Sequence, residues 1–343
     1  MWVGSNSERL AAGFPAGVEP RLAAEIADLF LPERARLDDR LRQSIMRMLS
    51  DLAGTIEADI RRHAARMLIG RGYHAAAEAL TTKGGSAAAR LFAAGVLRDP
   101  DLMEEVIARA RAALIADALP TGADAEERPG LLIRLGDLPD RAVAGAAQAL
   151  LAADSRRAGT GSDLPADLHH RLVWWTAAAI REDDHEPVVD RTLADAAQRC
   201  LLAHDEGERP EALAARLAAA IDPLPAEVPL LLAEALGERR LTLFVALLAQ
   251  ALGLEGEVAR MLVLDPEGER LWPALRAIGM DREGIVQVAL ALADADPRRD
   301  VDAMADRLDI VAAASPEAAR AAIAPLALPR DFRLAIRVVG RPR

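Results

Sequence analysis

The feature that most constrains this fold is an apolar stripe that recurs along the chain at the spacing of an α-helix. It is clearest in the segment 56–68, where five apolar residues share one helix face: Ile56, Ile60, Ala64, Met67 and Leu68. Three basic residues of the same segment point away from that face: Arg61, Arg62 and Arg66. Similar stripes recur near residues 285–292 and 301–308. Since such a helix cannot bury its stripe alone, the sequence predicts an all-α fold, an α-solenoid of degenerate helix pairs.

Composition and prolines support many short helices. Hydrophobic residues make up 52% of the chain and aromatic residues only 3%, which favours close helix packing over β-sheets. A proline fits the first turn of a helix, and an Asp or Ser before it can cap that turn. Five such pairs predict helix starts, at Asp99-Pro100, Asp222-Pro223, Asp265-Pro266, Asp296-Pro297 and Ser315-Pro316.

Stretches rich in Gly and polar residues predict how the chain is divided. Residues 1–20 read as a flexible arm and residues 21–153 as an N-terminal helical module. The Gly- and Ser-rich segment 154–164 is the predicted linker. Residues 165–343 form the predicted C-terminal module, whose basic tail caps the stack.

Charge and residue usage exclude several classes of function. The formal net charge of −11 argues against binding to nucleic acid, which depends on an excess of Lys and Arg. The longest apolar run, residues 241–254, is shorter than the ~20 residues of a membrane span, so no membrane is expected as a partner. A single cysteine, Cys200, and the lack of a signal-peptide pattern favour the cytoplasm.

Several segments of the sequence resemble known helical-repeat proteins. Asp59-Ile60-Arg61 followed by Ala64, Ala65 and Leu68 is similar to the second helix of a HEAT repeat, in which an Asp caps the helix. The order of segments 31–37, 46–49, 96–102 and 134–139 resembles a bacterial HEAT-like family catalogued only as a domain of unknown function, over roughly residues 25–180. The resemblance implies a helical-repeat fold and brings no activity, so no cofactor is expected.

Two clusters raise the question of a small-ligand or metal site. Lys83, Gly84, Gly85 and Ser86 form a candidate anion site, although glycine and serine caps between two helices explain the same residues. His169, His170 and the acidic run at residues 183–186 lack the spacing of a metal-binding face. Cys200 and His204 share a helix face as a thiol and a base would, but their stripe is also that of a packed core.

A third set of residues indicates a surface for a partner. Trp175 is predicted to lie in the core, whereas Trp174 lies about 100° round the helix, where an exposed indole near Arg181 is a candidate anchor for a partner. The alternative is that Trp174 packs against the next helix pair. Arg61, Arg62 and Arg66 form a candidate basic face. Trp272 is predicted to pack at a helix start.

Function is less constrained than fold. The first hypothesis is a non-enzymatic scaffold or regulatory adaptor that binds a protein or peptide in the groove of the stack. The alternative is a sensor for a small molecule or nucleotide, with a pocket between helix pairs near Lys83 or His169. The oligomeric state stays open.

Overall fold

A computed structural model describes residues 37–82, 87–122, 129–156, 164–181 and 186–340 of the chain. These residues form α-helices, three short 3-10 helices and connecting turns, and no strand occurs among them. In the first half the helices are α1 (Asp39–Gly70), α2 (His74–Thr82), α3 (Ala87–Ala94), α4 (Pro100–Ala118), α5 (Leu131–Gly136), α6 (Arg141–Arg156) and α7 (Ala166–Ile180). In the second half they are α8 (Pro187–Ala203), α9 (Pro210–Ile221), α10 (Val228–Gly237), α11 (Leu241–Leu252), α12 (Gly256–Leu264), α13 (Leu271–Ala277), α14 (Arg282–Ala295), α15 (Val301–Ala313), α16 (Pro316–Ile323) and α17 (Arg330–Val339). The all-α prediction is confirmed over these residues.

The chain divides into two units at residue 42. Of the first unit only residues 37–42 are described, and Asp38 there accepts a hydrogen bond from the Leu41 amide at 2.7 Å, which caps the start of α1. The second unit, residues 43–343, contains all the packing described below. The predicted arm lies outside the described residues, as does most of the predicted linker, and the two-module division stays a prediction.

The large core cluster of the second unit is made mainly of Leu and Ala side chains of α4–α6 and of residues 213–326, with none from α7 or α8. Consecutive helices pack in pairs, such as α5 with α6, α7 with α8, and α10 with α11. Helix α4 also contacts α11, α12 and α14, which lie more than a hundred residues further along the chain. Two aromatic residues, Phe244 and Trp272, are completely enclosed. Trp272 lies at the start of α13 as predicted, against the backbone of Gly268.

The stripe on helix α1 is confirmed, but the arginine face is not. Ile60 and Leu68 are fully buried, as predicted. Arg61 is also buried: its Nε donates to Glu57 at 2.8 Å and its Nη1 to the Leu80 carbonyl at 2.8 Å. The prediction that Arg61 faces solvent is therefore wrong, because a carboxylate one turn earlier and the end of α2 allow the charge to be buried. Asp59 lies inside the 32-residue helix and caps no helix start.

The five predicted pairs, four Asp-Pro and one Ser-Pro, divide into two groups. Asp99 and Ser315 cap the helices that follow them, as predicted, each accepting a hydrogen bond from a backbone amide of the first turn. Asp222, Asp265 and Asp296 instead end α9, α12 and α14, so those three predictions are wrong. Proline disfavours the helical conformation of the residue before it. The same pair can therefore end the helix that precedes it, when the next helix does not begin at the proline.

The basic tail forms a helix but does not bury its apolar face. Phe332, Ile336 and Val339 on α17 are 55%, 49% and 85% exposed. Arg330 lies 3.8 Å from Glu104, and Arg333 lies 3.8 Å from Glu255, in the loop before α12. The arginines thus face acidic residues as predicted, whereas Phe332, Ile336 and Val339 stay exposed and the capping role of the tail stays a prediction. Among the described residues no single helix has the length and apolar character of a membrane span; α11 and α12 reach that length only together, with a 119° bend between them.

Candidate functional site

A cavity of about 840 Å³ lies within the second unit, between helices α1, α4, α9, α11 and α12. Its wall is largely apolar and includes Leu52 from α1, Ala113 from α4 and Val245 from α11. Helix α11 can line it because this helix is apolar on nearly every side: Phe244 and Leu248 pack into the core, while Val245 faces the open space.

Charged side chains are gathered at one part of this wall. Glu105, on α4, is the centre of the group and is 7% exposed. Arg109, one turn later on α4, donates from Nε to Glu105 at 2.6 Å. Arg260, on α12, donates to both oxygens of Glu105, at 2.5 Å and 3.2 Å. One carboxylate therefore ties α4 to α12 through two guanidinium groups that line the cavity.

A third guanidinium, that of Arg209, is bound less completely. Arg209 immediately precedes α9, its side chain is 17% exposed, and it lines the cavity. Its nearest carboxylate oxygens belong to Glu105 and Glu211, both at 3.8 Å, and to Glu206 at 3.9 Å, beyond hydrogen-bond length. Its Nε is buried and makes no hydrogen bond. Arg209 therefore keeps unused donors at the cavity wall.

The electrostatics of Glu105 follow from this arrangement. Burial alone would raise the pKa of its carboxyl group, but the hydrogen bond from Arg260 and the charges of Arg109 and Arg260 lower it from 4.5 to about 2. For Arg260, burial would lower the pKa, and the hydrogen bond and charge of Glu105 raise it instead. Glu105 and Arg260 therefore stay ionised near neutral pH, so this pair supplies fixed charges and hydrogen-bond donors.

Two helix starts also open onto the cavity. Helix α9 begins there with Pro210 and Glu211, and α12 with Gly256 and Glu257. Neither helix has a side-chain cap at its first turn. Since the amide end of a helix carries partial positive charge, both starts add to the attraction for an anion that the arginines exert.

The surface residues predicted from the sequence lie elsewhere. Trp174 is half-buried, and its Nε1 donates to the ring of His170 at 3.2 Å. Trp175 is also only half-buried, so its predicted place in the core is wrong. Arg181 ends α7, half exposed, and donates to Asp190 at 2.8 Å. Helix α7 thus carries both predicted anchor residues, but neither lines the cavity.

The basic face predicted on α1 is reduced to two residues. Arg62 and Arg66 are exposed, and Arg62 pairs with Asp59 on the same helix. Arg61 is absent from this face because it is buried. Lys83, Gly84, Gly85 and Ser86, the candidate anion site, lie outside the described residues.

The histidines near Cys200 form a buried stack. The rings of His169 and His204 lie 4.0 Å apart and are 11° from parallel. Burial lowers the pKa of His169 to about 4, and the charge of His204 adds to this effect, whereas the nearby backbone of Cys200 acts in the opposite direction. The Cys200 thiol is buried, and burial raises its pKa, as expected of a core cysteine. In the described parts of the chain, no group of three or more His, Cys, Asp or Glu side chains is placed to hold a metal ion.

The sequence was compared with known protein families and structures. Residues 157–324 match the profile of a bacterial family. It is described as an uncharacterised protein conserved in bacteria, DUF2336. The matched stretch overlaps the predicted resemblance only over residues 157–180, so the likeness lies further along the chain than the sequence segments indicated. No curated protein and no solved structure matches the chain.

The stretch that matches the family contains only some of the charged residues at the cavity. Arg209 and Arg260 lie inside the matched stretch, whereas Glu105 and Arg109 lie before it. Sequence reasoning missed the cavity altogether, because its charged residues are far apart in the chain: Glu105 and Arg260, for example, are separated by 155 positions. The one local signal is Glu105 followed by Arg109, a spacing that places both side chains on the same helix face.

Proposed function

We propose that the protein is a non-enzymatic binding module that senses a small molecule in the cavity between α1, α4, α9, α11 and α12. The observation that carries the proposal is the cavity itself, whose 840 Å³ lie within the range of about 300–1,000 Å³ that is usual for ligand sites. Its wall joins an apolar surface to a compact group of charged residues, as such sites generally do. This develops the sensor hypothesis with a pocket that His169 does not line, while Lys83 lies outside the described residues.

The chemistry of the wall favours binding over catalysis. Guanidinium groups do not exchange protons near neutral pH, and the pKa of Glu105 is about 2. General acid–base catalysis needs a group with a pKa closer to the working pH. A bound ligand would instead touch five helices from distant parts of the chain, so that its binding would stabilise their packing and change what a partner meets.

The test uses a neutral solvatochromic dye, Nile red, so that charge plays no part. Wild-type protein should bind the dye saturably, and Ala113→Phe, which fills the cavity from α4, should weaken binding at least about tenfold. Ala178→Phe adds the same side chain to the exposed surface of α7 and should leave binding unchanged. Absence of saturable binding, or equal binding by both variants, would refute the proposal.

The architecture can be proposed in finer detail as well. We infer that the helix pairs are degenerate HEAT-like repeats, which is supported by the packing of consecutive helices such as α5 with α6 and α14 with α15. In a linear stack each repeat contacts only its neighbours. The contacts of α4 with α11, α12 and α14 require a stack that folds back at α4, with the cavity in the fold.

A protein-interaction function is the second candidate, and α17 favours it. Phe332, Ile336 and Val339 form an exposed stripe at the spacing with which a helix fits an apolar groove of a partner. Because this stripe adjoins a basic tail, we infer a groove with an acidic rim. The scaffold role predicted for Trp174, Arg181, Arg62 and Arg66 stays a proposal of the same class.

A further inference from the structure

We infer that the ligand of the cavity is a singly charged organic acid with an aliphatic body, and that Arg209 binds its carboxylate. The inference rests on the proposed function, because it specifies the chemistry of a ligand that the cavity would hold. It depends on three observations: the incomplete pairing of Arg209, the charge of the cluster, and the apolar wall beside it.

The pairing of the three arginines is unequal. Arg109 and Arg260 each make hydrogen bonds of 3.2 Å or less, to Glu105 and, for Arg109, also to Glu211. Arg209 approaches the same carboxylates only to 3.8 Å. A guanidinium has five N–H donors, and a largely buried one that uses none of them for a short hydrogen bond is costly. A carboxylate in the cavity would accept two of these donors in the usual bidentate geometry.

The charge of the cluster sets the charge of the ligand. Arg109, Arg209 and Arg260 carry three positive charges, and Glu105 and Glu211 carry two negative charges, so one positive charge is in excess. A monoanion neutralises it, whereas a doubly charged phosphate monoester would leave a negative charge in a partly desolvated site.

Other charged groups nearby do not change this balance. Arg47 and Asp51, one turn apart on α1, have opposite charges. The charge of Glu257 contributes to the raised pKa of Arg260, but its side chain is 61% exposed and lies 3.9 Å from Arg330 of α17. Glu206, the third acid near Arg209, is 52% exposed, and its carboxylate already accepts a hydrogen bond from a backbone amide at the start of α7. Solvent and existing partners therefore offset these charges.

The remaining wall determines the body of the ligand. Apolar side chains, among them Leu52, Ala113 and Val245, make up most of the wall beyond the arginines, which also includes Thr242 and Gln250 of α11. The apolar part offers no donor or acceptor, so burial of aliphatic carbon is the favourable contact there, at about 25 cal/mol per Å². An acid of medium chain length satisfies both parts of the wall at once.

The test compares three probes that share one tail and differ in the head group: decanoate, decanol and decylamine. Binding is measured by calorimetry at pH 7.5. Decanoate should bind wild-type protein at least about tenfold more tightly than decanol, since a hydrogen bond to a charged group contributes about 1.5–3 kcal/mol, and decylamine should bind most weakly. Arg209→Gln should abolish the preference for decanoate and leave decanol binding unchanged.

Two further variants make the result specific. Arg216→Gln removes an exposed arginine from the same helix, α9, and should keep the full preference for decanoate. Arg209→Lys keeps the positive charge without the bidentate donors, so it should keep part of the preference for decanoate over decanol. Thermal unfolding of each variant confirms that it is folded.

The outcomes separate the two proposals. If decanoate and decanol bind equally, or if Arg209→Gln keeps the preference, the assignment of an acid is wrong while the binding function stands. Decyl phosphate, used as a fourth probe with the same tail, tests the charge of the ligand: if it binds more tightly than decanoate, the assignment of a single charge is wrong. If none of the probes binds and Nile red does not bind either, the binding function itself is refuted.

Discussion

Replacing Glu105 with glutamine gives the sharpest test of how this site is held together. The carboxylate pairs with Arg109 and Arg260, whose side chains are 12% and 15% exposed. Glu105→Gln keeps the size of the side chain but removes the charge between two largely buried guanidinium groups. Breaking a buried ion pair from one side generally costs about 3–5 kcal/mol.

The pKa of Glu105 gives a second measure of this cost. A decrease from 4.5 to about 2 corresponds to about 3 kcal/mol, since one pKa unit is about 1.4 kcal/mol. Solvent in the cavity weakens the electrostatic interaction and so reduces both the cost of breaking the ion pair and the value obtained from the pKa. We therefore expect Glu105→Gln to lower the free energy of unfolding at pH 7 by about 2–3 kcal/mol.

The pH dependence identifies the cause of the loss. Because the folded-state pKa lies below the unfolded-state value, the contribution of Glu105 is complete above pH 4.5 and disappears as the pH falls towards 2. Urea unfolding followed by circular dichroism should therefore show the gap between wild type and Glu105→Gln closing between pH 5 and pH 3. The neighbouring Glu104, 69% exposed, provides the control, and Glu104→Gln should cost less than about 0.5 kcal/mol. A loss below about 1 kcal/mol at pH 7, or a gap that stays constant down to pH 3, would show that the cluster does not depend on this charge.

Two other predictions concern the histidine stack and the last helix. Because burial lowers the pKa of His169 from 6.5 to about 4, the unfolded chain takes up its proton first as the pH falls. Wild-type protein should thus lose about 1–2 kcal/mol of stability between pH 7.5 and pH 5 that His169→Gln does not lose. His74→Gln, at an exposed position, should behave like wild type. If the free energy of unfolding falls equally with pH in all three proteins, the prediction is contradicted. On α17, a photo-crosslinking residue at Phe332 should capture one dominant partner in cells, whereas the same residue at Leu202, which is 86% exposed, should not. Equal yields at the two positions, or cross-links only to a second copy of the chain, would rule out the acidic-rimmed partner.

The fold class follows from the sequence because it depends on local pattern. The spacing of Ile56, Ile60, Ala64 and Leu68 determines which side of α1 is buried, whatever the neighbouring helices are. Arg61 shows where such reasoning ends. Its burial requires a carbonyl at the end of α2, nineteen residues away, and no periodicity within α1 contains that information.

Proline punctuation shows a different limit. The pair Asp-Pro precedes α4 at Asp99 and follows α9 at Asp222, although the two letters are the same. Proline suits a first helical turn and also disfavours helix in the residue before it, so the pair marks a junction without giving its direction. Whether it starts or ends a helix depends on whether the residues directly after the proline pack as a helix.

The cavity could not be predicted, because its only local pattern is the spacing of Glu105 and Arg109. The three arginines near Glu105 come from α4, the residue before α9, and α12, and only packing brings them together. The sequence offered Lys83 and His169 as sites because glycines and histidines are conspicuous in a chain of this composition. A common residue type, arginine, carries the charge of the cavity instead.

The unequal pairing of the arginines separates stability from binding. Arg109 and Arg260 make short hydrogen bonds to Glu105, so their donors are used by the fold and removing Glu105 should destabilise it. Arg209 makes no short hydrogen bond, so Arg209→Gln removes little native interaction and should change stability much less than Glu105→Gln does. An Arg209→Gln variant that keeps its stability but loses the preference for decanoate would therefore assign this guanidinium to the ligand and not to the fold.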